Sequence, residues 1–140
     1  MLLLTLFSFK RTDPVKHGRY IALSQLECFS CHSKDFAKND YFSPEKSVGF
    51  FGGGNKMFNR DGKEIHTLNI TMDENTGVGK WSEEEFVTAV KSGILPGNQP
   101  ALRYPMEPYS NLSDKEAKAI YAYLKTVPTS SNKVERKLYE

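Results

Sequence analysis

Glu27-Cys28-Phe29-Ser30-Cys31-His32-Ser33 is the stretch on which the reading of this chain turns. Cys28 and Cys31 are the only two cysteines among 140 residues, and His32 follows them directly. Two cysteines so near each other make no disulfide framework and cross-link no distant elements. A structural zinc site needs four ligands, and the other histidines, His17 and His66, stand at no paired Cys/His spacing. A thioredoxin-like pair follows a strand and opens a helix in a βαβ setting, whereas this pair ends a helix in a chain with no βαβ pattern. The spacing Cys-x-x-Cys-His suits haem attachment instead. Two thiols can form thioethers with the two vinyl groups of one haem, and the adjacent imidazole is held under the iron as proximal ligand.

Upstream, Asp13-Pro14 opens a helix, an N-cap side chain followed by proline at the first helical position. The helix is expected to run to about Glu27, with Val15, Tyr20, Ile21, Leu23 and Leu26 as its apolar stripe and Gly18 permitting close approach by another element. Before it, Met1 to Phe9 are strongly apolar but far short of the ~20 residues that cross a bilayer. Their first positive charges, Lys10 and Arg11, come after the apolar run and not before it as in a secretory signal. Residues 1–12 therefore read in three ways: a signal or anchor remnant, a segment docking on a partner or membrane surface, or a tail covering part of the domain's own core.

Downstream, residues 33–80 are rich in Gly, Asn, Asp and aromatics and show no sustained helical period. A structureless loop of this length is unexpected in a compact domain unless it wraps something large, and a haem would serve. Within it, Lys56-Met57-Phe58-Asn59 and Glu64-Ile65-His66-Thr67-Leu68 flank Arg60-Asp61-Gly62-Lys63, a signal for a short β-hairpin. Ser82 and Glu85 form a capping box for a second helix, with Trp81 as staple and Phe86, Val87 and Val90 facing inward. That helix ends at Ser92-Gly93, and Pro96, Gly97, Pro100, Pro105 and Pro108 then keep the chain from Ile94 to Asn111 extended. Ser113 and Glu116 cap a third helix, with Leu112, Ala117, Ile120, Tyr121 and Leu124 on its apolar face. It stops before Pro128, and residues 129–140 read as a polar, flexible tail.

The candidates for a sixth ligand to the iron are Met57, Met72, Met106, His17 and His66. A lone methionine is by default core filler or surface. Met106 differs because Tyr104-Pro105-Met106-Glu107-Pro108 is a rigid loop shortly before the last helix, where prolines hold a thioether at low entropic cost. Met57 in the hairpin and Met72 beside Asp73-Glu74 read as structural. His66 is the bis-histidine alternative, and His17 reads as a surface residue near Lys16 and Arg19.

From about Asp13 to Val127 the arrangement resembles a class I c-type cytochrome. It has a helix leading into the Cys28–His32 motif, a wrapping middle, a methionine loop, and a terminal helix containing Tyr121-Ala122-Tyr123-Leu124. The middle is similar to the cytochrome subunits of bacterial alcohol, aldehyde and nicotinate-type dehydrogenases, in Asn69-Ile70-Thr71, Thr76-Gly77-Val78-Gly79, Trp81-Ser82-Glu83-Glu84-Glu85-Phe86 and Tyr109-Ser110-Asn111-Leu112-Ser113. The resemblance implies a mainly α cytochrome c fold at 13–128, about three main helices around one covalent haem c, with long loops. It also implies a crossing of the first and last helices in which Gly18 and Tyr123 take the small and aromatic roles. The family's methionine ligand maps onto Met106, although the proline that usually follows it is displaced here by Glu107. Trp81 and Arg103 could reach haem propionates, against the plainer readings of core packing and solvent exposure.

With His32 and Met106 as axial ligands the iron takes no substrate, so the expected function is single-electron transfer without a catalytic site of its own. The implied partners are redox proteins, a dehydrogenase, a terminal oxidase or both, at a periplasmic or periplasm-facing location, with membrane association through the apolar amino terminus. Two rival readings are an enzyme or gas sensor with an open sixth position, and a docking subunit. Nineteen basic against seventeen acidic residues leave a net charge of +2, far from the strongly basic surface of a nucleic-acid binder.

Overall fold

Two features start the first helix where the sequence places it. The Asp13 carboxylate accepts from the backbone N–H groups of Val15 (2.9 Å) and Lys16 (3.4 Å), and Pro14 occupies the first turn. The computed structural model describes residues 12–137, so all but the last residue of the apolar segment 1–12 lies outside it. Helix α1, Pro14–Tyr20, continues as a π-helical turn over Ile21–Gln25, in which Leu26 N–H donates to Ile21 O at 2.9 Å. The wider turn allows Ile21, Ala22 and Leu23 all to be buried, which a single face of a regular α-helix does not. Tyr20, expected in the apolar stripe, is 55 % exposed. Glu27 then takes a left-handed conformation (φ 48°), ending the helical path and redirecting the chain into a separate short helix, α2, Cys28–His32. The haem-attachment signature therefore has a helix of its own, a fourth beside the three expected.

Helix α3, Glu83–Ser92, and helix α4, Asp114–Leu124, begin at the expected capping boxes, Ser82 with Glu85 and Ser113 with Glu116. Helix α1 packs chiefly on α4, and a Cβ on Gly18 would stand 1.8 Å from the carbonyl oxygen of Ala119. Only glycine permits that backbone contact. The small residue thus meets the backbone of Ala119 and Ile120, while Tyr123, one turn further along α4, packs edge-on against Phe51 at 6.3 Å. Ile21, Phe29, Phe51, Phe86, Ile120 and Leu124 form the centre of the core, with Trp81 and Met72 packed against it.

The long middle segment is folded. Strands β1, Lys56–Phe58, and β2, Glu64–His66, form the expected antiparallel hairpin with Met57 opposite Ile65. Pairing continues beyond the ladder. Thr67 N–H donates to Asn55 O (3.0 Å), Gly54 N–H to Thr67 O (2.8 Å) and Ile70 N–H to Phe51 O (2.9 Å), so residues 51–55 run beside 67–70.

The C-terminal segment corrects the reading of a flexible tail over 129–137. Ser130 N–H donates to Thr71 Oγ1 (3.1 Å), Asn132 Nδ2 to Gly52 O (2.9 Å), and the Arg136 guanidinium to the carbonyls of Pro100 and Ala101 (both 2.6 Å). A polar composition reads as solvated in sequence, but here the polar groups bond other segments, at buried Gly52 and Thr71 and at the exposed carbonyls of Pro100 and Ala101.

Candidate functional site

Cys28 and Cys31 stand one helical turn apart in α2, so both thiols project from one side of it, and both are half-buried without forming a disulfide. Burial pushes the Cys28 thiol up to about 12, opposed by a hydrogen bond to its own backbone. A redox-active pair depends on a lowered thiol pKa, and the Cys28 thiol is shifted the other way.

His32 closes the helix, and its imidazole is oriented by a contact far away in sequence. Nδ1–H donates to the carbonyl of Leu68 at 2.7 Å. That bond defines the tautomer and leaves the Nε2 lone pair available to a metal. Burial lowers the His32 pKa, only partly offset by the Leu68 hydrogen bond, and so favours the neutral imidazole that ligation requires. On the backbone side, Gly53 N–H donates to His32 O at 2.7 Å. Gly53 has φ 67°, and a Cβ there would stand 2.5 Å from the carbonyl carbon of Leu68, so a glycine is required where this segment squeezes between His32 and Leu68.

Met106 is half-buried in the 94–111 loop, where its N–H closes a turn onto Arg103 O at 3.0 Å. The loop is tied to α3 at two points: Leu102 N–H donates to Gly93 O and Tyr109 N–H to Val90 O, each at 2.8 Å. Tyr109 links it to the cysteines. Its phenol pKa is raised first by burial and then by the neighbouring Cys28 and Cys31 thiols. The loop carrying Met106 is thereby brought to the same side of the fold as the attachment helix.

The other candidates are engaged elsewhere. Met72 packs against the core, and the Met57 sulfur accepts from Asn55 Nδ2 at 3.5 Å. His66 Nε2 lies 3.7 Å from Glu64, and His17 faces Glu116 at the start of α4. Trp81 packs on the core and its carbonyl accepts from Tyr121 OH at 2.8 Å, in line with a structural role. Two contributors are hidden from sequence reasoning. Leu68 acts through a backbone oxygen that no side-chain pattern reveals, and Tyr109 is visible only as part of a motif, with no signal for its place beside the thiols.

This donor set fits a covalently held haem: two thiols on one turn and a neutral imidazole with one nitrogen pinned. A family model described as Cytochrome c matches residues 18–128. The chain belongs to the cytochrome c family. Members carry covalently bound haem c and transfer electrons. Among curated proteins, the chain is 36 % identical over 112 residues to the gluconate 2-dehydrogenase cytochrome c subunit of Pantoea cypripedii, covering 78 % of this chain and 22 % of that one. It is 28 % identical over 113 residues to the fructose dehydrogenase cytochrome subunit of Gluconobacter japonicus, covering 80 % and 21 %. It is 30 % identical over 112 residues to the cytochrome c subunit of the quinone-dependent alcohol dehydrogenase of Gluconobacter oxydans, covering 78 % and 20 %. The chain thus spans about a fifth of the length of these relatives.

Proposed function

We propose that this cytochrome c domain carries a single haem c joined by thioethers to Cys28 and Cys31, with His32 Nε2 and the Met106 sulfur as axial ligands. It shuttles single electrons between redox partners in the cell envelope. The observation that carries this reading is the 2.7 Å hydrogen bond from His32 Nδ1 to Leu68 O, which presents the other ring nitrogen as a ligand beside both cysteines.

Cys28 and Cys31 would hold the haem through thioethers, each S–H adding across one vinyl group with sulfur on one carbon and hydrogen on its neighbour, so that no leaving group and no external oxidant would be needed. The haem, once bound, supplies an Fe(II)/Fe(III) couple. The chain holds His32 neutral and oriented, braces the attachment helix through the Gly53 N–H on His32 O, and brings the methionine loop across by its two ties to α3. Methionine ligation and burial favour the reduced state. Filled axial positions leave no vacancy for substrate, which matches relatives named as cytochrome subunits of dehydrogenases. A dehydrogenase is the fitting electron donor and a terminal oxidase a fitting acceptor. Membrane association is assigned in this reading to the apolar run Met1 to Phe9; among the described residues no helix is long and apolar enough to cross a membrane.

Acid–acetone extraction and optical spectra of the oxidised and reduced protein test it. The haem should stay with the polypeptide at one per chain, and the reduced protein should bind carbon monoxide only slowly and weakly. Extractable haem, stoichiometric zinc, or rapid tight carbon monoxide binding near neutral pH would each refute it.

A further inference from the structure

Asn69 is 3 % exposed, and both ends of its amide are engaged. Nδ2 donates to Ser130 O (2.6 Å), Thr76 Oγ1 (3.0 Å) and Asn132 O (3.3 Å). Oδ1 accepts from the Thr71 N–H (2.9 Å) and hydroxyl (2.8 Å). Residues 130–132 are also bound from the other side, because Asn132 Nδ2 donates to Gly52 O (2.9 Å) and Gly53 O (3.3 Å), and Gly53 N–H in turn bonds His32 O (2.7 Å). A short C-terminal strap therefore joins the two segments that enclose His32. The carbonyl of Leu68 and the nitrogen of Asn69 share one planar peptide unit, so whatever holds Asn69 also aims the oxygen that receives His32 Nδ1–H.

We propose that Asn69 is a positioning residue for His32, and that residues 130–132, bonded to Asn69 on one side and to Gly52 and Gly53 on the other, set with it the strength of the proximal hydrogen bond and so the reduction potential. The inference rests on the haem reading above. A strong bond from Nδ1–H leaves more electron density on Nε2 and favours the oxidised state, so weakening it raises the potential. A merely structural role has the opposite sign. Loosened packing admits water to the haem, and loss of burial lowers the potential.

Two uncharged variants of the holo-protein test this, Asn69→Ala and Asn132→Ala. The readouts are the reduction potential, exchange of the His32 Nδ1 proton followed by NMR, and thermal unfolding as a control. Both variants should show a higher potential, larger for Asn69→Ala, in which proton exchange should quicken by about tenfold for one weakened hydrogen bond. If Asn69→Ala does not fold, Asn132→Ala decides alone, because it removes two bonds made by an exposed side chain. A lowered potential, or unchanged potential and exchange in a folded variant, overturns the proposal. Failure of the unsubstituted protein to hold haem covalently is a different result, and it would sink the underlying reading instead.

Discussion

The two sides of the site are held in different ways. On the His32 side, the imidazole's orientation depends on interior hydrogen bonds: Nδ1 to Leu68 O at 2.7 Å, Gly53 N–H to His32 O at 2.7 Å, and the buried Asn69 behind them. On the Met106 side, the loop is tied by backbone bonds to Gly93 and Val90. Further ties of the loop are exposed: Arg60 to Glu107 at 2.7 Å, with side chains 74 % and 58 % accessible, and Arg136 to the carbonyls of Pro100 and Ala101. Exposed pairs contribute little, whereas bonds shielded from water are costly to lose. The histidine side is therefore part of the cooperative fold, and the methionine side is a stiff loop attached to it, the weaker of the two.

Substitutions can break or sharpen that contrast. The largest effect belongs to His32→Ala, which should abolish the low-spin spectrum and leave little correctly assembled holo-protein, measured as covalent haem per chain. Gly18→Ala comes next. With a Cβ 1.8 Å from Ala119 O, the α1–α4 crossing must separate, and thermal unfolding should report a loss on the order of 3 kcal/mol. Met106→Ala should leave a folded protein with covalent haem, but without the weak long-wavelength sulfur-to-iron absorption and with a lower potential. Met57→Ala and Met72→Ala should leave both spectral properties nearly unchanged.

Two surface ion pairs complete the comparison. On the histidine side, Arg19 Nε meets Glu45 at 2.5 Å, and Tyr123 OH donates to the same carboxylate at 3.3 Å. Burial would raise the Glu45 pKa, but Arg19 and then Tyr123 hold it below the usual carboxylate range. A depressed carboxyl stabilises the fold above its unfolded pKa and loses that contribution as pH falls through the folded value. The stability gap between the native protein and Glu45→Gln should therefore close on acidification, by less than about 1 kcal/mol because Glu45 is 39 % exposed. The smallest effect is Arg60→Ala on the methionine side, at most about a few tenths of a kcal/mol in unfolding. It should also bring a modestly faster displacement of Met106 by added imidazole.

Local chemistry settled much of this in advance. The Asp13-Pro14 start, both capping boxes and the Arg60–Lys63 turn are short-range signals, each read from residues within a few positions of one another, and each forms as expected. The π turn after Tyr20, the left-handed Glu27 and the separate helix α2 are not local preferences. They accompany the burial of all three of Ile21, Ala22 and Leu23 and the turn of the chain at Glu27 into α2. The same holds for Leu68, Asn69 and the strap at 130–132, whose partners lie 36 and 61 residues away along the chain. Residue types and their spacing determined which groups can hold a haem. Which backbone oxygen orients the histidine was decided only when distant segments met, because a carbonyl is common to every residue and only its position in space distinguishes it.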